Sequence, residues 1–395
     1  MFLELLRRRN PGLIDAAVTL HQRGELPANT YLFDLDAVQH NAGVIAKEAA
    51  RLGLTPYAML KQVGRNPDVC RAVVAGGIPA SVAVDMACAR ATHRAGMKLG
   101  HLGHLVQVPR GEADAAAALQ PDHWTVFDDR KAAEAAEATG RLGREQALLA
   151  RIFAGGDEFY PGHEGGFAAA DVAEVADRFD ALDTARFVGI TTFPALVFDP
   201  QTGKVRSTRN LRTLEDAAAR LRDAGRTDFQ INGPGTNSTM VFAALAEAGV
   251  TQVEPGHALT GTTPWHAVED LPELPAVCYV SEVSHHYAGR AYCFGGGMYV
   301  DPVFPPYQVR AVVGHAADDT RLLDATLPPP EAIDYYGQLD LAGGAAEVGD
   351  TVVFGFRIQA FVTRAYTAGV AGLTTGDPRL TGIWSADGSS TTWPA

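Results

Sequence analysis

The sequence predicts an α/β protein: a (β/α)8 TIM-like barrel followed by a C-terminal antiparallel β-domain. Three observations carry that prediction. The chain has 395 residues, 47% of them hydrophobic, and at about 150 residues per domain it has room for two or three domains with a sizeable core. Between Pro56 and Glu254, short apolar runs alternate with Ala-rich helical stretches, as parallel strands buried on both faces and separated by helices require. After about Thr263 the alternation stops. From Ala276 onward Val, Tyr, Phe and Gly dominate, which is the composition of antiparallel strands.

Taken in order, Thr30-Tyr-Leu-Phe-Asp-Leu35 reads as a short strand, and Asp36 with Gln39 three residues on resembles a capping box that starts a helix. Val38, Ala42, Ile45, Ala49 and Leu52 line one face of that helix and Gly53 stops it. The barrel strands are expected at Pro56 to Leu60, Ala80 to Val84, Leu102 to Val108, Trp124 to Phe127, Ala147 to Phe153, Phe187 to Thr192, Asp228 to Asn232 and Val250 to Glu254. An open doubly wound sheet is the alternative, and eight βα units favour closure. Val277 to Val283 and Asp350 to Phe356 read as strands of the β-domain, Pro328-Pro-Pro330 as a loop within it, and the last twenty residues as an irregular tail. The domains are placed at 30–265 for the barrel and at 266–395 together with 1–29 for the β-domain.

Composition excludes several classes of function. The formal charge of −13 offers no surplus of Lys and Arg to neutralise phosphates, so no nucleic-acid partner is expected. Cys70, Cys88, Cys278 and Cys293 form no C-x-x-C, which suggests neither a zinc knuckle nor a disulfide framework and fits a reducing cytoplasm. No apolar run reaches the length of about 18 residues that a membrane span needs. Glu4 and Arg7-Arg-Arg9 stand where a signal peptide would carry its apolar core.

Active sites of such barrels collect at the carboxyl ends of the strands. Lys61 ends Tyr57-Ala-Met-Leu-Lys61, and a lysine at the end of a dry strand is a candidate Schiff-base nucleophile, although taken alone such a lysine is more often a snorkelling surface residue. The seventh strand runs into Asn232-Gly-Pro-Gly-Thr-Asn-Ser-Thr239, a turn that can hold phosphate or serve as an ordinary loop. The eighth ends in Glu254-Pro-Gly-His257.

Asp34-Leu-Asp-Ala-Val-Gln-His-Asn41, Tyr57-Ala-Met-Leu-Lys61 and Glu254-Pro-Gly-His257 together resemble the pyridoxal-phosphate enzymes of fold type III. That class includes alanine racemase and the ornithine and diaminopimelate decarboxylases, and the chain is most similar to its YhfX-like group, from about residue 30 to about residue 370. The resemblance implies that Lys61 forms the Schiff base with pyridoxal 5'-phosphate and that Arg65 touches the phosphate by charge. Gly235, Thr236, Asn237 and Ser238 match the phosphate loop, and Thr192 or Phe193 stands where related enzymes stack a His on the pyridine ring. His257 replaces the Arg that follows Glu-Pro-Gly in the decarboxylases. Glu254 falls where alanine racemases carry an Arg, and a carboxylate there keeps the ring nitrogen protonated, which strengthens the ring as an electron sink.

For the second acid/base group the racemase-like spacing places Phe294 where a Tyr is expected, beside Tyr292 and Cys293. The decarboxylase-like segment Asp334 to Asp340 lacks its cysteine and leaves Tyr335, Tyr336 and Asp340. His285 and His286 are adjacent, so on a strand they point to opposite faces, and no metal is expected. The resemblance implies a cytoplasmic homodimer with shared active sites that acts at Cα of an amino acid, with racemisation or epimerisation leading. Decarboxylation and non-catalytic carriage of the cofactor are the alternatives.

Overall fold

The computed structural model describes residues 1–300 and 306–393. The chain divides into two compact units: Gly43–Leu60 with Gly77–Gly256, and Met1–Ala42 with Lys61–Gly76 and His257–Ala395.

The first unit holds the parallel barrel. Its first strand is Thr55–Pro56 continued by Ala58–Met59, and Ala80–Ala83, Lys98–Leu102, His123–Val126, Gln146–Phe153, Ala185–Thr191, Gln230–Asn232 and Gln252–Val253 follow. Every neighbouring pair is parallel, and Gln252 and Val253 pair with Thr55 and Pro56, so the sheet closes on itself. Closure was expected from the eight apolar runs, and strands such as Ala80–Ala83 are buried at every position, as a sheet covered on both sides requires. Asp85 and Asp128 start the helices Met86–Arg94 and Asp129–Gly140, accepting from the backbone N–H of Cys88 at 2.7 Å and of Lys131 at 3.0 Å.

The third strand corrects the sequence reading. It spans Lys98–Leu102, not Leu102 to Val108, and residues 103–108 form the loop after it. Gly100 within it allows the approach of Tyr57, whose ring atom Cε1 would stand 2.3 Å from any Cβ at that position.

The second unit is a nine-stranded sheet in the order Arg290–Phe294, Tyr336–Asp340, Thr320–Thr326, Val309–Gly314, Thr351–Phe354, Val277–Tyr287, Thr30–Asp34, Tyr366–Ala371 and Arg379–Ser385. An additional pairing of Arg290–Phe294 with Val277–Tyr287 closes its first six strands into an antiparallel barrel. Thr30–Asp34, predicted as a strand, runs parallel to Tyr366–Ala371 and antiparallel to Val277–Tyr287. Helices Phe2–Arg9 and Pro11–Gln22 bury Leu3, Leu6, Leu13 and Val18 with Leu32, Val280, Val312 and Val353 in one apolar cluster.

Two further expectations are corrected here. The helix Leu35–Arg51 is capped by Asp34, which accepts from the Ala37 N–H at 3.1 Å. Asp36 instead binds the Thr374 hydroxyl at 2.8 Å and the Gly372 and Thr374 N–H groups at 3.2 Å. The final segment is not irregular throughout, because Arg379–Ser385 pairs with Tyr366–Ala371.

Candidate active site

Within the parallel barrel, polar groups converge at the carboxyl ends of the strands. Glu254 leaves the eighth strand with its backbone N–H held at 2.7 Å by Asn237 Oδ1. Its Oε1 accepts from Asn232 Nδ2 at 3.0 Å and faces His101 Nδ1 at 2.8 Å, while Oε2 faces His104 Nε2 at 3.1 Å. Burial pushes this carboxyl up, but the neighbouring charge of His104 and the bonds from His101 and Asn232 outweigh it and hold Glu254 below the usual carboxylate range. The donor atoms of His101, His104 and Glu254 lie within 4.8 Å of one another. The carboxylate meets each imidazole directly at hydrogen-bond length, so sharing of protons accounts for the arrangement.

Arg151, on the fifth strand, is fully buried. Its guanidinium donates to the carbonyls of His163 at 2.9 Å and of Phe193 at 3.3 Å and lies 5.1 Å from the Phe127 ring. Burial brings it down to about 10, with Glu254 and Asp157 acting in the other direction, so it remains a cation at neutral pH. Thr192 is buried, with Asn210 Nδ2 at 3.4 Å from its hydroxyl. Phe193 contacts the rings of His104, Tyr160 and His163 at 5.5, 5.7 and 5.6 Å, which brings part of the loop from Gly155 to Gly166 against the strand end.

The segment after the seventh strand forms a cradle. Gly235 has φ +149°, and a Cβ there would lie 2.5 Å from the Leu196 carbonyl oxygen, so only glycine allows this approach. The Thr236 N–H donates to that same carbonyl at 3.2 Å, and Asn237 donates to the Gly233 carbonyl at 3.3 Å. The Ser238 hydroxyl is buried and has no hydrogen-bond partner among the described residues. A buried orphan hydroxyl beside a glycine turn suits a bound anion.

Lys61 follows Leu60 directly at the end of the first strand and belongs to the second unit. Its Nζ stands 5.6 Å from the Phe361 ring, and Arg65 Cζ stands 5.5 Å from the same ring. Arg65 is buried with φ +52°, a left-handed conformation that costs a non-glycine residue about 1–3 kcal/mol. His257 is buried against Thr262 Oγ1 at 3.1 Å. Burial, then the charges of Arg357, Lys61 and His266, hold it far below the ordinary histidine value, so it is neutral.

The β-domain candidates differ sharply in environment. Cys293 is fully buried, and burial pushes its thiol up to about 12. Tyr336 is 41% exposed. It joins Tyr292, Phe294 and His285 in an aromatic group in which His285 stacks on Tyr292 at 4.8 Å. Tyr335 is exposed, and Asp340 caps the short turn after its strand by accepting from Ala342 N–H at 2.9 Å. His285 and His286 are both exposed, just after a register shift between Val283 and His285, and His286 Nε2 lies 2.7 Å from the Ala346 carbonyl oxygen.

Sequence reasoning missed His101, His104 and Arg151. The first two were hidden by the misplaced third strand, which took His104 for strand and left His101 out. Arg151 lies inside a run whose apolar neighbours masked it.

The profile of the alanine racemase N-terminal domain matches residues 33–264, and that of the YhfX-like C-terminal domain matches residues 278–380. The chain belongs to the alanine racemase family. Within it, this YhfX-like chain is 37% identical over 396 residues to the uncharacterized protein YhfX of Escherichia coli (strain K12), covering 99% of each. Solved structures of similar fold include D-threonine aldolase from Filomicrobium marinum, with a TM-score of 0.68 and 18% identity over 92% of this chain and 96% of that one. D-threo-3-hydroxyaspartate dehydratase from Delftia sp. HT23 gives 0.66 and 18% over 93% and 98%. Alanine racemase from Clostridium difficile 630 gives 0.63 and 15% over 91% and 99%. The fold family is one of pyridoxal-phosphate enzymes, and its racemase, aldolase and dehydratase members share the architecture of this YhfX-like chain.

Proposed function

We propose that this chain binds pyridoxal 5'-phosphate and racemises or epimerises an amino acid at Cα, as a cytoplasmic homodimer. The observation that carries the reading is Lys61, a lysine at the carboxyl end of the first strand of a barrel whose family uses this cofactor. The residues fit the group. The Gly235 to Ser238 cradle has a buried hydroxyl, without a partner among the described residues, that would meet a phosphate oxygen, Glu254 would offer its buried carboxylate to the ring nitrogen, and Arg65 would add positive charge.

When bound, pyridoxal phosphate supplies an electron sink for the pair left on Cα. Lys61 would hold the cofactor, and its amine would take and return a proton at the substrate Cα on one face. Thr192 or Phe193 would lie against the cofactor ring. A tyrosine of the partner's β-domain serves the other face. Tyr292 and Tyr336 suit that role, whereas a thiol as strongly protonated as that of Cys293 does not donate and accept near neutral pH.

Incubating the holoenzyme with a panel of L- and D-amino acids in deuterated water tests the proposal. Deuterium at Cα with loss of optical purity is the expected result. Carbon dioxide release means decarboxylation, and no label with any substrate means a cofactor carrier; either refutes the racemase.

A further inference from the structure

In a parallel ladder a paired residue donates its N–H to one residue of the neighbouring strand and accepts, at its carbonyl, from the N–H two residues further along that strand. Gly233 obeys the first half of this rule, because its N–H donates to the Gln252 carbonyl at 3.0 Å. The second half would bring the Glu254 N–H to the Gly233 carbonyl. The side-chain amide of Asn237 stands between them instead: Nδ2 donates to the Gly233 carbonyl at 3.3 Å, and Oδ1 accepts from the Glu254 N–H at 2.7 Å. One buried carboxamide thus replaces a rung between the ends of the seventh and eighth strands.

The same turn reaches Glu254 a second time. Asn232, the last residue of the seventh strand, donates from Nδ2 to Glu254 Oε1 at 3.0 Å, and the Thr191 hydroxyl donates to Asn232 Oδ1 at 2.9 Å, which fixes the orientation of that amide. Asn232 and Asn237 bracket Gly233-Pro-Gly-Thr236, so the turn grips Glu254 at its backbone and at its carboxylate. Directly after Asn237 comes Ser238, whose buried hydroxyl has no partner among the described residues.

We propose that Asn237 couples the two ends of the cofactor site: an anion held by the Gly235 to Ser238 cradle steadies Glu254 and so tightens the hold of the site on a pyridine ring. The proposal rests on the reading of the cradle as a phosphate site and of Glu254 as the partner of the ring nitrogen, and it makes Asn237 a positioning residue rather than a phosphate ligand. The physical link is short. An anion that takes the Ser238 O–H as its donor satisfies a buried polar group that the protein itself leaves unmatched, and this favours the arrangement of the turn in which Asn237 is spliced into the ladder. The Glu254 N–H is then held more firmly, and its carboxylate gives up less freedom on meeting a ring nitrogen. Linkage makes the effect reciprocal, so the ring tightens the anion by the same factor.

Two fragments separate the ends of the site. Inorganic phosphate fills the cradle, and 3-hydroxy-2-methylpyridine is the cofactor ring without its aldehyde and phosphate arms, so it needs no bond to Lys61. Each is titrated calorimetrically into the full-chain apoprotein, alone and with the other at saturation. In the parent, phosphate should tighten the pyridine by roughly fivefold or more, and the pyridine should tighten phosphate equally. In Asn237→Ala the factor should fall to one; Asn237→Ser, which keeps a polar group in the pocket but is too short to reach Glu254, serves if the Ala variant does not fold. A residue that only supported the fold would lower both affinities and leave the factor at its parental value. Hydrogen exchange gives a reading without any variant, since phosphate alone should slow exchange of the Glu254 amide in the parent. A ring that phosphate fails to tighten, a parental factor in the Asn237 variants, or a Glu254 amide indifferent to phosphate overturns the proposal while leaving the cofactor reading intact. Failure of pyridoxal phosphate itself to bind the parent overturns this proposal and the cofactor reading together.

Discussion

At Lys61, Ser238 and Glu254, single side chains have separable consequences. Borohydride reduction of the holoenzyme is expected to fix the pyridoxyl group on the peptide that contains Lys61, and Lys61→Ala is expected to abolish it; label on Lys47, Lys98, Lys131 or Lys204 contradicts the site. Ser238→Ala removes the hydroxyl that the proposed function assigns to a phosphate oxygen. A hydrogen bond to a charged group is worth about 1.5–3 kcal/mol, so cofactor affinity measured by titration of the apoprotein should fall by roughly ten- to a hundredfold with little change in folding stability. Glu254→Arg should retain cofactor on Lys61 and lose turnover; undiminished turnover on the same substrate places Glu254 away from the ring nitrogen. Lys61 and Glu254 were legible in the sequence because each ends an apolar run, where a charged residue stands out. His101 and His104 were not, because their importance lies in facing Glu254, 150 residues away along the chain, and no local pattern records that contact.

At the scale of elements, hydrophobic alternation located seven of the eight barrel strands to within a few residues and misplaced the third. Residues 102–108 contain more apolar side chains than Lys98-Leu-Gly-His-Leu102, yet the latter forms the strand because His101 satisfies its ring nitrogens inside the barrel with Glu254 and Thr125. A paired polar residue buries as well as an apolar one, and periodicity cannot foresee the pairing. The cap of the first long helix went to Asp34 in place of Asp36 because the strand before it delivers Asp34 into position for the Ala37 N–H. The turn after the seventh strand gives a prediction of its own. Gly235→Ala forces a Cβ to within 2.5 Å of the Leu196 carbonyl oxygen, so cofactor affinity should drop sharply and stability should fall by more than about 1 kcal/mol; a variant with parental affinity and melting temperature shows that the turn tolerates a side chain.

For the whole molecule, two histidines tie stability to pH, the buried His21 in one unit and the half-buried His123 in the other. Burial holds both His21 and His123 down to about 4, whereas in the unfolded chain each titrates near 6.5. Between those values the unfolded state binds more protons, so stability is full above about 6.5, falls as pH drops through the window and levels off below about 4. The displacement corresponds to roughly 3 kcal/mol for each histidine. Urea unfolding at several pH values should show this slope, and the double variant His21→Gln, His123→Gln should flatten it; an unchanged slope assigns the effect to other groups. Leu13, fully buried in the helix-on-sheet cluster, should lose about 2–5 kcal/mol on replacement by Ala.

The strand Thr30–Asp34 sits between Val277–Tyr287 and Tyr366–Ala371, and this has a consequence for the order in which the chain can assemble. Every residue of the parallel barrel unit is synthesised after that strand and before both of its neighbours. Thr30 must wait for Tyr366, so the antiparallel unit is held open as a long loop while the unit inserted in it collapses, and the pairing that ends the wait is among the most non-local contacts a chain of this length can make. During that interval the apolar faces of Phe2–Arg9 and Pro11–Gln22 and both edges of Thr30–Asp34 lack their final cover, which makes the nascent chain a natural client for a holding chaperone. A circular permutant in which residues 1–34 follow residue 393 through a flexible linker would bring these strands out together and leave the helix Leu35–Arg51 uncut, and it should refold faster and with less aggregation than the parent order.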